Sequence, residues 1–126
     1  MLSIPTLATA AATVTVVPQA LLVVKGAGAA VTVEVTCDLA APSFLLGSVF
    51  VHQRVGNGIA SGSSYVNDVP INCDGTLQKV EILVLAQSKA FGKGSAIVGL
   101  NVYVCSNFYY PCNNTLANQE IQLVNK

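Results

Sequence analysis

The chain has 126 residues, six basic and six acidic side chains, no formal net charge, 52% hydrophobic residues and no tryptophan. Only 10% of its residues are charged, against about 25% in an average soluble domain. With Lys25, Arg54, Lys79, Lys89, Lys93 and Lys126 scattered along the sequence, no basic footprint for nucleic acid is visible, and the polar surface is too small for an ordinary free monomer.

Residues 1–12 read as an apolar, Ala-rich N-terminal arm with Leu2, Ile4 and Leu7 as its contact points, and residues 13–126 as one domain. Met1–Ala8 has no basic residue ahead of its apolar ones and is interrupted by Pro5, so it does not read as a signal peptide. Thr13–Val17 alternates and stops at Pro18, which suits a first or edge strand. Leu21–Val24 is short and apolar, Lys25–Gly28 makes a turn, and Ala30–Cys37 places Val31, Val33, Val35 and Cys37 on one face of a strand. Asp38–Ser43 is expected as a loop and Gly47–Val55 as a strand, with Val49, Val51, Gln53 and Val55 on one side and Phe50, His52 and Arg54 on the other.

Gly56-Asn57-Gly58 signals a hairpin. Ile59–Val66, rich in Gly and Ser, reads as a weak edge strand, and Asp68–Asp74, with Pro70, as a loop before the Asp74-Gly75 turn. Leu77–Leu85 alternates, Gln87–Gly94 is a loop around Phe91, and Ser95–Cys105 is apolar on both faces except at Asn101, as a buried central strand would be. Cys105–Cys112 is expected to form a stapled aromatic tip carrying Phe108, Tyr109 and Tyr110, and Glu120–Val124 to close the sheet with Ile121 and Leu123 inward. No apolar run reaches the roughly 18 residues of a membrane-spanning helix, so no membrane insertion is expected. Seven or eight short strands without a helix predict an all-β, immunoglobulin-like two-sheet sandwich.

Cys37, Cys73, Cys105 and Cys112 allow three pairings. Cys37–Cys73 with Cys105–Cys112 is favoured because the second pair closes one short loop. Two disulfides imply an oxidising compartment, hence an extracellular location: secreted, on a cell surface or on a virion. The alternative is four buried thiols in a cytosolic protein. With no C-x-x-C pair and His52 as the single histidine, no metal site is expected.

The order Val33–Cys37, Gln53–Gly58, Cys73–Gln78, Ala90–Ala96 and Cys105 resembles small secreted immunoglobulin-like domains of actinobacteria, across roughly residues 31–105. The chain is also similar to neocarzinostatin-type apoproteins in size, fold class and two-disulfide content. The resemblance implies export, a sandwich and disulfides. Both disulfides in those apoproteins close short loops, whereas Cys37 and Cys73 stand far apart here, and no binding residue is carried over.

Chemistry is sparse. His52 has no G-x-S-x-G elbow to serve, and Gly92-Lys93-Gly94-Ser95 lacks the upstream glycine and the Ser/Thr of a phosphate loop. Asp68 and Asp74 flank a proline loop but bring too few oxygen ligands for calcium. Asn113-Asn114-Thr115 is a formal glycosylation sequon. No catalytic residue and no cofactor are expected. The reading is a non-enzymatic assembly protein, a subunit of a filament, coat or capsid decoration that forms a homo-oligomer or lattice through the arm and the 105–112 loop. The alternative is a secreted monomeric binding module, an apolar small-molecule carrier or adhesin.

Overall fold

The computed structural model describes residues 12–38, 42–106 and 112–125. The contact residues expected in the arm, Leu2, Ile4 and Leu7, and in the aromatic loop, Phe108, Tyr109 and Tyr110, lie outside the described residues. Among the described residues eight strands follow one another: β1 (Ala12–Val16), β2 (Gln19–Val23), β3 (Gly28–Cys37), β4 (Ser43–Val55), β5 (Gly58–Ile71), β6 (Gln78–Leu85), β7 (Gly94–Ser106) and β8 (Cys112–Val124). Among the described residues the only helical element is a single 3₁₀ turn at Val24–Gly26. The chain is all-β, and its strand arrangement is consistent with a two-layer sandwich.

Pairing runs without a break through all eight described strands, in the order β1, β3, β2, β8, β7, β4, β5, with β6 on the far side of β3. β2 is the link: on one side of it β3 lies between β1 and β6, the smaller layer, and on the other β8, β7, β4 and β5 form the larger one. Pro18 separates β1 from β2 and marks the change of partner. Before it, β1 pairs antiparallel with β3 and Val17 donates to the Thr32 carbonyl at 2.9 Å. After it, β2 keeps its last residues on β3 but also runs parallel to β8, and the Pro18 carbonyl accepts from Gln122 at 2.9 Å. A proline has no N–H to leave unpaired at such a switch. At the opposite margin β5 and β6 meet in one bridge, Gly62 to Ala86. That approach requires glycine, since a Cβ on residue 62 would overlap the Leu85 carbonyl oxygen.

Between the layers lies a valine-rich core: Val31, Val33 and Val35 from β3, Val49 and Val51 from β4, and Val98, Val102 and Val104 from β7 are all fully buried. Leu45, Ile121 and Leu123 fill the space around them. Every one stands at an alternate position of its strand, so the period-two pattern in the sequence is the core itself. Burying each contributes about 1.5–3 kcal/mol over leaving it in water.

Both disulfides form in the favoured pairing, Cys37–Cys73 and Cys105–Cys112. The first ties the end of β3 to the β5–β6 loop, where Gly75 also donates to the Cys37 carbonyl at 2.9 Å. The second joins directly opposed residues of β7 and β8. On chain entropy they contribute about 4 and about 2.5 kcal/mol. Together they place the chain in an oxidising, extracellular-type environment. No described helix is long and apolar enough to cross a membrane.

Three strands are longer than the sequence predicts. β4 begins at Ser43, inside the expected 38–43 loop. β5 continues to Ile71 through Pro70, because it is the edge strand, where a proline is tolerated. A bulge lies there: Asn67 and Asp68 stand opposite the single residue Leu46, with Asp68 left-handed at φ 50°. β8 starts at Cys112 rather than at Glu120. Its first half, Asn113–Gln119, carries no apolar alternation and is held by register with β7 instead, from Cys105–Cys112 onward. The expectation that β7 is buried on both faces is also corrected, for Ile97 and Tyr103 remain 41% and 40% exposed.

Candidate functional site: an uncharged sheet face and two charged ends

The outward side of the larger sheet can be read row by row from its register. Glu120, Ile97, His52 and Ser61 stand side by side from β8 to β5, followed by Asn118, Gly99, Phe50 and Ser63. The next row is Leu116, Asn101, Ser48 and Tyr65, and beyond it Asn114, Tyr103 and Leu46. Charge is confined to the margins of this face, while Tyr65 and Leu116 protrude at 78% and 72% exposure.

Relief on the face comes from residue size. Phe50 lies flat over Gly99, whose hydrogen leaves the space a Cβ would take from the ring. The same ring meets His52 edge-on at 5.0 Å between centroids. Ser48 and Asn101 form a low floor between tall neighbours and are shared by two shallow grooves. One, of about 490 Å³, continues to Tyr65, Asp68 and Tyr103; the other, of about 570 Å³, to Phe50, Leu116 and Asn118. Asn114 donates its amide to the Asn101 side-chain oxygen at 3.0 Å and to the Val102 carbonyl at 3.1 Å. Those bonds orient Asn101 and present its NH₂ as a donor on the groove floor.

Residues weighed for catalysis are not brought together. His52 faces Ser61 across the ladder, and its described ring contact is with Phe50. Gly92-Lys93-Gly94-Ser95 is a turn whose first residue is clamped and whose third opens β7. Asp68 sits on the β5 bulge, whereas the Asp74 carboxylate accepts from the Thr76 N–H at 3.1 Å and hydroxyl at 2.6 Å. Those bonds, the hydroxyl's first, hold Asp74 below the usual carboxylate range. Among the described residues no group of three or more His, Cys, Asp or Glu is placed to hold a metal.

Charge that is scattered in the sequence is sorted in space. Lys25, in the β2–β3 turn, Arg54, at the β4–β5 hairpin, and Lys89 and Lys93, in the β6–β7 loop, all fall at one end of the sandwich. Asp38, after β3, and Asp74, in the β5–β6 loop, fall at the other end, with Asp68 close behind on β5. Glu34 and Lys79 neutralise each other on the smaller sheet at 4.0 Å.

The basic end is a built structure. In the β6–β7 loop, Ala86 and Phe91 each donate to carbonyls of the β2–β3 turn, Ala27 and Gly26, at 2.8 Å, and Gln87 donates to Ser61 at 2.9 Å. Phe91 is buried in the core. Gln53, 4% exposed, pairs with Gly92 as a neighbouring strand would: its NH₂ donates to the Gly92 carbonyl at 2.7 Å and its oxygen accepts from the Gly92 N–H at 2.8 Å. Sequence reasoning placed Gln53 on the valine side of its strand but assigned it no partner. A lone amide on an apolar face was the available signal, since a buried amide must be satisfied.

No family model, no curated protein and no solved structure matches the chain.

Proposed function

We propose that the chain is an immunoglobulin-like sandwich acting as a non-enzymatic structural subunit, exported or carried on a cell or virion surface, that packs with copies of itself. The immunoglobulin-like assignment is supported by the strand order, with β1, β3 and β6 against β8, β7, β4 and β5, and by a first strand that changes layers at Pro18.

One observation carries the assembly reading: the outer face of the larger sheet is uncharged across its centre and exposes Tyr65, Leu116, Ile97 and Tyr103 together. An uncharged face bearing exposed apolar side chains gains free energy from being covered, and a chain with 10% charged residues overall has little else to keep it dispersed. The mass in solution, measured by light scattering at micromolar concentration, is expected to exceed 13.0 kDa. Tyr65→Lys combined with Leu116→Lys is expected to lower it while leaving thermal stability within about 0.5 kcal/mol. A wild-type chain that stays monomeric overturns the reading.

The two grooves favour a second reading, a secreted monomeric module for an apolar small molecule or a glycan. Aromatic rings at Phe50, Tyr65 and Tyr103 and the amide of Asn101 surround a shared floor, the mix of apolar walls and few polar groups that small-ligand sites use.

A further inference from the structure

We propose that copies of this chain stack head to tail, the basic end of one against the acidic end of the next. The inference rests on the self-association reading and adds the direction of the contact and the surfaces that make it.

Charge complementarity is the first support. Four of the five basic residues among the described ones, Lys25, Arg54, Lys89 and Lys93, gather at one end. Glu120 is the nearest carboxylate by register, three pairs inward from the Gly94–Leu123 pair that opens the β7–β8 ladder. Asp38, Asp68 and Asp74 mark the opposite end, and Lys79, the basic residue closest to them by register, is engaged with Glu34. A neutral chain thereby carries opposite charge at its two ends, and head-to-tail alignment sets the basic end of one copy against the acidic end of the next.

The second support is that the basic end is rigid. The β6–β7 loop is pinned by three backbone bonds, the Gln53 clamp and the buried Phe91 ring. Gly58 is covered by the Lys89 side chain. Lys25 follows Val24 in a turn where both are left-handed, at φ 55° and 48°, and Val24 stands 81% exposed at its tip. A left-handed, β-branched residue held in water costs about 1–3 kcal/mol. Val24 thus adds exposed apolar surface to the end of the molecule that carries the four cations.

Because the two contacting surfaces differ, the contact does not close on itself as a two-fold dimer does, and it propagates into a ring or filament.

The test is reciprocal charge reversal in the full chain, read by sedimentation velocity at about 20 mM and about 500 mM NaCl, where the screening length falls from about 20 Å to a few Å. Association of the wild type is expected to weaken at least about tenfold between the two salts. Lys89→Glu with Lys93→Glu is expected to lose the salt-sensitive association, and so is Asp38→Lys with Asp74→Lys. Mixing the two variants is expected to restore salt-sensitive association, because the unchanged acidic end of one meets the unchanged basic end of the other. That restoration also shows that neither variant failed through misfolding. Salt-insensitive association that survives both reversals overturns the head-to-tail contact and leaves the sheet-face reading standing. Association abolished by the reversals but untouched by Tyr65→Lys with Leu116→Lys does the opposite. A mixture that stays monomeric, or a basic end that instead binds anionic vesicles while the chain remains monomeric, also overturns the proposal.

Discussion

The two sheets present different surfaces to solvent. On the smaller one, β3 and β6 turn out Thr32, Glu34 and Thr36 beside Lys79 and Glu81, with one ion pair at 4.0 Å. This is the alternation of a half-solvated antiparallel sheet, although toward the β2–β3 turn the same face of β6 also exposes Leu83 and Leu85, at 49% and 56%. On the larger one the outward positions carry Leu46, Phe50, Tyr65, Ile97, Tyr103 and Leu116 among Asn and Ser, without a charge at the centre. Both sheets bury the same kind of valine-rich inner face, so the difference between them is not a requirement of the core. It also reaches the backbone: the larger sheet relies on single special residues, Gly47, Gly99 and Gln53, that the smaller one lacks.

Breaking that dependence is expected to give the largest effect. Gly47 has φ 137° and a Cβ there would overlap the Asn101 carbonyl oxygen, so Gly47→Ala is expected to cost about 3 kcal/mol, lowering Tm by roughly 10 °C in a thermal melt. Gln53→Ala comes next. It leaves the half-buried N–H and C=O of Gly92 without their partners, and about 1–2 kcal/mol is expected to be lost, with faster proteolysis within residues 86–93 as the local readout.

On the smaller sheet, Lys79→Met is expected to change stability by no more than about 0.5 kcal/mol, since the Lys79 side chain is mostly exposed and the pair is wide. Glu34→Leu with Lys79→Leu sharpens the contrast differently. It gives the smaller sheet a face like that of the larger one, and a higher apparent mass at equal concentration is the expected outcome.

Asp74 gives the smallest effect. Its carboxyl is held below the ordinary value by Thr76 in the folded chain, so its stabilising contribution is present above the ordinary carboxylate pKa and lost as pH falls through the lower, folded value. Melting temperatures followed downward from pH 5 are expected to fall slightly less steeply in Asp74→Ala than in the wild type.

Much of the fold was legible in the residues because it rests on local periodicity. Alternating valines marked β3, β4 and β6, the Gly56-Asn57-Gly58 signal marked a tight hairpin, and Pro18 marked a strand end. The short spacing of Cys105 and Cys112 was enough to favour their pairing. By contrast, the polar first half of β8 and the passage of β5 through Pro70 carry no local signal, since long ladders with β7 and β4 hold them in place.

The site was legible only in part. A shortage of charge announced a covered surface, but which residues share that face depends on register across four strands. Leu116 and Tyr65, at the two ends of one row across four strands, are 51 positions apart in sequence, and no window of residues brings them together. The same holds for charge. Lys25, Arg54 and Lys89 are scattered as text, and only antiparallel connections, which return the chain to the same end every second strand, make them neighbours. Composition and alternation by themselves determined an all-β chain with a valine core, two disulfides and too little charge. Tertiary structure decided where the uncharged face and the two charged ends lie, because pairing register and strand direction are set by contacts between residues remote in sequence.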